Sequence, residues 1–180
     1  MSRDINLLVP KVRDACLMVI EECKKYDTEI LITDTLRTLQ DQAKLYRQSR
    51  LLSEINIKIK KFEDRGFDFL AKIIKDVGPQ HGKIGVHVTN CGPGESFHNF
   101  ALAFDAVPIE NKVALWDTKK YSLEWNRYGW AVRKSGLSWG GDWDSFKDFP
   151  HAQLGEGSSN PLKIYSVDKI KEMLTQNGLI

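Results

Sequence analysis

Apolar residues recur at three- and four-residue steps from Ile5 through Leu8, Val9, Val12, Cys16, Val19 and Ile20 to Cys23. On a helix that spacing gathers them on one face, so the pattern predicts an amphipathic helix packed on a core. Residues 29–36, Glu-Ile-Leu-Ile-Thr-Asp-Thr-Leu, are rich in β-formers and predict a strand. A second helix is expected from Thr38 to Arg50, with Thr38 and Asp41 spaced as a capping box. Over 51–77, Leu, Ile and Phe are scattered among lysines and predict one or two further amphipathic helices, which Gly78, Pro79, Gly82 and Gly85 break.

The second half reads differently. Val86, His87 and Val88 suggest a short strand, and Asn90 to Gly94 a turn-rich loop. Ala101 to Val107 alternates: Ala101, Ala103 and Asp105 face one way, Leu102 and Phe104 the other. That is a strand with one face of small residues, as a site beneath it requires. Tyr121 to Lys134 predicts a helix, with Arg133 and Lys134 in its last turn and Gly136 as its stop. Trp139-Gly-Gly-Asp-Trp143 reads as a rigid turn and Phe149 to Leu154 as a final strand. A loop at 155–160 and a short helix from Val167 to Gln176 close the chain. With no internal repeat, the expectation is one α+β domain, helices covering a small antiparallel sheet. Residues 1–154 would form its main body, with a helical insertion at 51–80. Residues 155–180 would belong to the same domain.

Composition narrows the function classes. The 180 residues carry 42% hydrophobic and 28% charged side chains, the balance of a globular domain and not of a disordered chain. A net charge of +2 argues against nucleic acid, although a pI near 8.4 suits mild attraction to an anionic wall surface. No apolar run approaches the roughly 20 residues that cross a membrane. The opening Met-Ser-Arg-Asp-Ile-Asn-Leu-Leu-Val-Pro lacks a long apolar stretch. The expectation is therefore synthesis in the cytoplasm without a signal peptide. Cys16, Cys23 and Cys91 are odd in number and form no CxxC pair, which argues against a disulfide framework and a thiolate knuckle. Cys16 and Cys23 read as small buried apolar residues. Of the four histidines, His81 and His87 fit no motif and read as structural.

The other two stand in informative company. The first cluster is Ser96-Phe-His98-Asn-Phe-Ala101-Leu-Ala103-Phe-Asp105; the second is Asp148-Phe-Pro-His151-Ala-Gln153. A catalytic zinc takes three protein ligands, imidazoles and carboxylates, and keeps a fourth position open for water. His98 on a loop entering a strand and Asp105 on that strand offer two ligands. His151 offers the third if its strand pairs alongside. Cys91 is an alternative ligand, less well placed than a carboxylate. The bland alternative is that each is an ordinary core or strand residue, and spacing alone leaves it open.

The residues themselves resemble a known family. Ser-x-His-x-x-Gly-x-Ala-x-Asp followed by Asp-x-x-His is the signature of the zinc D-Ala-D-Ala carboxypeptidases and L-alanoyl-D-glutamate endopeptidases, which cut peptidoglycan peptide stems. Thr35-Leu-Arg37-Thr38, Gln42 and Leu45-Tyr46 are similar to a further segment of that family. Gly136-Leu-Ser-Trp139-Gly-Gly-Asp-Trp143 leading to His151 resembles its endopeptidase branch, found in wall hydrolases and phage endolysins. The resemblance covers roughly residues 5–50 and 82–154. It departs at Ala101, where the family has glycine, and over 51–80, which is longer and reads either as a cleft wall or as a surface insertion.

The resemblance implies a fold of the hedgehog/D-Ala-D-Ala peptidase type and one zinc ion on His98, Asp105 and His151. It implies Asp148 as general base, against a plain turn aspartate before Pro150. It implies Arg37 as the cation that polarises the scissile carbonyl or holds a substrate carboxylate, against a surface ion pair. Ser96 and Gln42 are substrate contacts or, equally, capping and packing residues. Trp139, Asp142 and Trp143 shape the loop that positions His151. The expected activity is L-alanyl-D-glutamate endopeptidase on the peptidoglycan stem, endolysin-like, from a monomer that reaches the wall after holin-mediated release. Two alternatives are a D,D- or L,D-carboxypeptidase of the same family and a non-catalytic zinc-containing wall-binding module.

Overall fold

The computed structural model describes residues 2–78, 87–144, 146–155 and 160–180. Its elements in chain order are α1 (Pro10–Lys25), β1 (Glu29–Asp34), α2 (Leu39–Arg47), α3 (Leu52–Glu63), α4 (Asp68–Asp76), β2 (Ala103–Glu110) and β3 (Val113–Ala114). They continue with α5 (Ser122–Lys134), β4 (Ser138–Trp139), β5 (His151–Gln153), α6 (Pro161–Ile164) and α7 (Val167–Gln176). The class is α+β, and among the described residues every strand pairing is antiparallel. The described residues fall into two compact units, 1–36 with 101–159 and 37–100 with 160–180.

The first unit is the sheet, in the order β1-β2-β5-β4 with β3 also on β2, packed against α1 and α5. The first expected helix is split: Ile5–Leu7 is a 3-10 turn, and α1 begins only at Pro10. A residue before proline is pushed out of the helical region, and proline itself suits the first helical position, so the break falls at Val9. The apolar spacing of α1 survives as Val12, Cys16, Val19 and Cys23, all buried. They share a core with Phe104, Ala106, Val107, Trp125, Tyr128, Val132, Trp139 and Ala152. Helix α5 stops as predicted: Gly136 adopts φ +79°, and Leu137 N–H reaches back to the Val132 carbonyl at 3.3 Å. Trp139 is tightly cradled, because a Cβ at Gly129 or Gly141 would lie 2.3 or 2.4 Å from its indole.

The second unit is helical. The inner residues of α3 and α4, among them Ile55, Ile59, Phe62, Leu70 and Ile74, are buried. α4 packs on both α2 and α3. The inner faces of the two helices in the segment expected as an insertion are therefore part of this unit's core, from Ile55 to Ile74. Thr38 caps α2 by accepting from Asp41 N–H at 3.0 Å, as its spacing predicts. Near the expected strand at 86–88, His87 and Val88 are not in a strand; Val86 and His81 lie outside the described residues, as do 79–80 and 156–159. Sequence pattern also missed the short strands β3 and β4 and the single-turn helix α6.

Candidate metal centre

Asp105 and His151 lie 46 residues apart and become direct neighbours through strand pairing, since β2 and β5 run antiparallel with Asp105 opposite His151 and Ala103 opposite Gln153. Alternation puts these four on one face and turns Phe104 and Ala152 into the core. The imidazole Nδ1 of His151 lies 3.1 Å from Asp105 Oδ1, and its Nε2 lies 2.9 Å from Gln153 Oε1. With Gln153 accepting from Nε2–H, Nδ1 is the nitrogen that faces Asp105: it donates to the carboxylate while protonated and offers its lone pair once that proton is lost. This is the usual way an outer partner orients a ligating histidine. Burial alone would lower the His151 pKa; the hydrogen bond and charge of Asp105, then the charge of Asp148, outweigh it and hold the pKa above the ordinary histidine value. A bound cation displaces that proton.

The segment leading to His151 is pinned residue by residue. Asp148 N–H donates to the Gly140 carbonyl at 3.0 Å, and Trp139 Nε1 donates to the Phe149 carbonyl at 2.7 Å. Tyr128 Oη donates to the Pro150 carbonyl at 2.7 Å. Trp143 stacks obliquely against the His151 ring with centroids 5.3 Å apart, and Asp142 takes both its bonds from Arg133 at 3.0 Å. Trp139, Asp142 and Trp143 thus form the frame of this loop. Gly140 has no room for a side chain, because a Cβ there would lie 2.3 Å from the Asp148 carbonyl oxygen. Asp148 itself is half-buried.

His98 sits on the 3-10 turn Phe97–Phe100 and is 1% exposed. Ser96 Oγ accepts from His98 N–H at 3.4 Å, a capping contact. Arg37 N–H donates to the His98 carbonyl at 3.1 Å, and Arg37 Nη1 donates to Gln42 Oε1 at 2.8 Å. After the turn comes Ala101, whose φ of +57° lies in the left-handed region. The alternation from Ala101 therefore begins only at Ala103, and the glycine expected at 101 has a backbone reason rather than a packing one.

His98, Asp105 and His151 each offer a ligand atom, and these atoms all lie within 4.8 Å of one another. Two imidazoles and one carboxylate are the donor set a catalytic zinc favours, and three ligands leave the fourth position for water. The residues present fit such an ion. Cys91 is not part of this group. Its thiol is pushed up to about 11, chiefly by burial, away from the thiolate a metal needs. Cys16 and Cys23 are free, buried and pushed up to about 12, in keeping with their apolar role. His87 lies 3.5 Å from Glu54, apart from the cluster. Sequence reasoning missed Gln153 as the orienting partner, although its spacing of two from His151 on a strand was a usable signal. It also missed Asn99, for which no pattern spoke.

Residues 90–154 match the family described as D-alanyl-D-alanine carboxypeptidase. The chain is 26% identical over 132 residues to peptidoglycan L-alanyl-D-glutamate endopeptidase CwlK of Bacillus subtilis (strain 168), covering 70% of this chain and 60% of that relative. It also matches the crystal structure of the Serratia marcescens L-Ala D-Glu endopeptidase ChiX at 19% identity and TM-score 0.43, over 84% of this chain and 83% of that one. The family resemblance read from the motifs is borne out over residues 90–154, the stretch that matches this peptidase family. The match to CwlK reaches only about three fifths of that protein's length.

Proposed function

We propose that this protein is a zinc-dependent peptidoglycan hydrolase that cuts the peptide stem between L-Ala and D-Glu. The observation that carries the reading is the convergence of His98, Asp105 and His151 within 4.8 Å, in a chain whose 90–154 region matches a peptidase family. The named activity of the Bacillus relative supports the choice of bond. In this reading residues 1–154 are the catalytic part of one domain, 155–180 belong to it, and the chain works as a monomer. The setting is endolysin-like lysis, with a holin as the route to the wall.

His98, Asp105 and His151 would hold the ion. When bound, zinc lowers the pKa of its water to about 7 and polarises the scissile carbonyl. The Asp148 carboxylate takes the proton of the attacking water and returns it to the leaving amine nitrogen. The Arg37 guanidinium stabilises the oxyanion of the tetrahedral intermediate, where a fixed cation is worth several kcal/mol. Gln153 keeps the His151 ring in register, and Trp143 closes one side of it. Ser96 and Gln42 line the substrate's approach or serve the loop.

The name of the matched family, D-alanyl-D-alanine carboxypeptidase, favours one second reading, removal of the terminal D-Ala. Mass spectrometry of digested, purified peptidoglycan separates the two. New amino termini on D-Glu are expected, whereas released D-Ala would establish the carboxypeptidase. Protein that binds the wall and releases no fragment would be a binding module.

A further inference from the structure

Arg37 is held at three points. Its N–H donates to the His98 carbonyl at 3.1 Å, its own carbonyl accepts from Asn99 Nδ2 at 2.9 Å, and its Nη1 donates to Gln42 Oε1 at 2.8 Å. Each of the two amides is tied at its other end to the loop that leads into His98. Gln42 Nε2 donates to the Cys91 carbonyl at 2.7 Å, and Asn99 Oδ1 accepts from Gly94 N–H at 2.9 Å. Both amides are fully buried, and Asn99 also reaches the Thr38 carbonyl at 3.4 Å.

The residue types matter. An amide alone among the small side chains offers a strong acceptor and a strong donor on one planar group. It can therefore bridge a cationic N–H to a carbonyl, or a carbonyl to an N–H, without a net charge in a buried place. A free arginine side chain has four torsions to lose before its guanidinium is in position, and the bond to Gln42 fixes its far end in advance. The bonds to Asn99 and His98 fix its near end.

We infer that Gln42 and Asn99 are positioning residues that clamp Arg37 at its two ends and hold it in register with the turn carrying His98. This rests on the proposed role of Arg37 at the oxyanion. It assigns Gln42 to the arginine and not to the substrate. Neither amide touches the reacting atoms in this reading. Both act through Arg37.

The test is a double-mutant cycle on the zinc-loaded protein, following kcat and KM on a soluble stem peptide together with metal content and melting temperature. Gln42→Met should lower kcat about 10- to 100-fold with little change in KM, as expected for a misplaced oxyanion partner. Metal content should be unchanged. In an Arg37→Ala background the same substitution should cost less than about twofold more, since a residue that acts only through Arg37 has nothing left to position. Gln42→Glu keeps the acceptor toward the guanidinium but loses the donor to the Cys91 carbonyl, so it should recover only part of the turnover. Asn99→Ala should show the same dependence on Arg37. If Gln42→Met does not fold, Gln42→Asn, too short to reach both partners, takes its place in the cycle.

Losses that multiply independently of Arg37 would overturn the clamp. So would a rise in KM with kcat unchanged, which would make Gln42 a substrate contact, or a lower melting temperature with normal kcat. Full turnover in Arg37→Ala would overturn the oxyanion role and the clamp with it. Loss in Arg37→Ala with none in the two amide variants would remove the clamp alone.

Discussion

His151 shows how much one residue's neighbours decide. A lone histidine is more often structural than ligating, but this one has a carboxylate on Nδ1 and an amide oxygen on Nε2. His151→Ala is expected to abolish both metal binding and turnover; stoichiometric zinc in that variant would sink the ligand set. Asp148→Ala should instead retain zinc while turnover falls by about 100- to 10,000-fold, the usual contribution of a general base. Gln153→Ala removes only the orienting bond, and zinc affinity measured by competition with a chelator should drop about 10- to 100-fold. Ala101 is a different kind of case. Its motif position was legible, and so was the missing glycine, but the left-handed backbone behind it was not. Ala101→Gly should raise stability by about 1 kcal/mol, because relief of the left-handed strain exceeds the entropy glycine adds to the unfolded chain. A melting curve that falls instead of rising would refute this.

Helices α1 and α5 are joined by a charge cluster as well as by apolar packing. Glu22 on α1 takes Lys134 of α5 at 2.8 Å and Lys25 of its own helix at 2.6 Å. Its bond to Lys134, then that to Lys25, holds its carboxyl below the ordinary value of 4.5. A depressed carboxylate pKa contributes stability that is fully present above the unfolded value and is lost as pH falls through the folded one. The melting-temperature difference between wild type and Glu22→Gln should therefore be full at neutral pH and shrink below about pH 4.5. A difference that stays constant into acid would assign the effect to packing. Element boundaries moved where local chemistry intervened. Proline delayed α1, and the left-handed residue at 101 delayed β2. The helices over 52–76 were legible from their periodicity. Their burial was not, because amphipathic spacing says which face is apolar and not what covers it.

For the molecule as a whole, an ion held on the proposed ligands His98, Asp105 and His151 would be a stabiliser as well as a reagent, since a ligand that binds only the folded chain stabilises it. Treatment with a chelator should abolish turnover and lower the melting temperature, and added zinc should restore both. At a thousandfold excess over Kd the ion contributes about 4 kcal/mol. His151→Ala should melt at the same temperature with and without zinc; a zinc-dependent shift in that variant would place the ion elsewhere. The sequence by itself determined the longer helices, the central strand, the candidate ligand types and the family they resemble. These follow from local periodicity and from short motifs, and both are properties of neighbouring residues. It also carried both histidine motifs, yet their meeting depended on events no local rule contains. Only the tertiary structure decided that β5 pairs beside β2 in the register that sets His151 opposite Asp105. A slip of one residue would have turned His151 into the core. Likewise only folding brings Arg37 against Asn99, 62 residues away, because long-range hydrogen bonds are set by the packing of the elements and not by spacing along the chain.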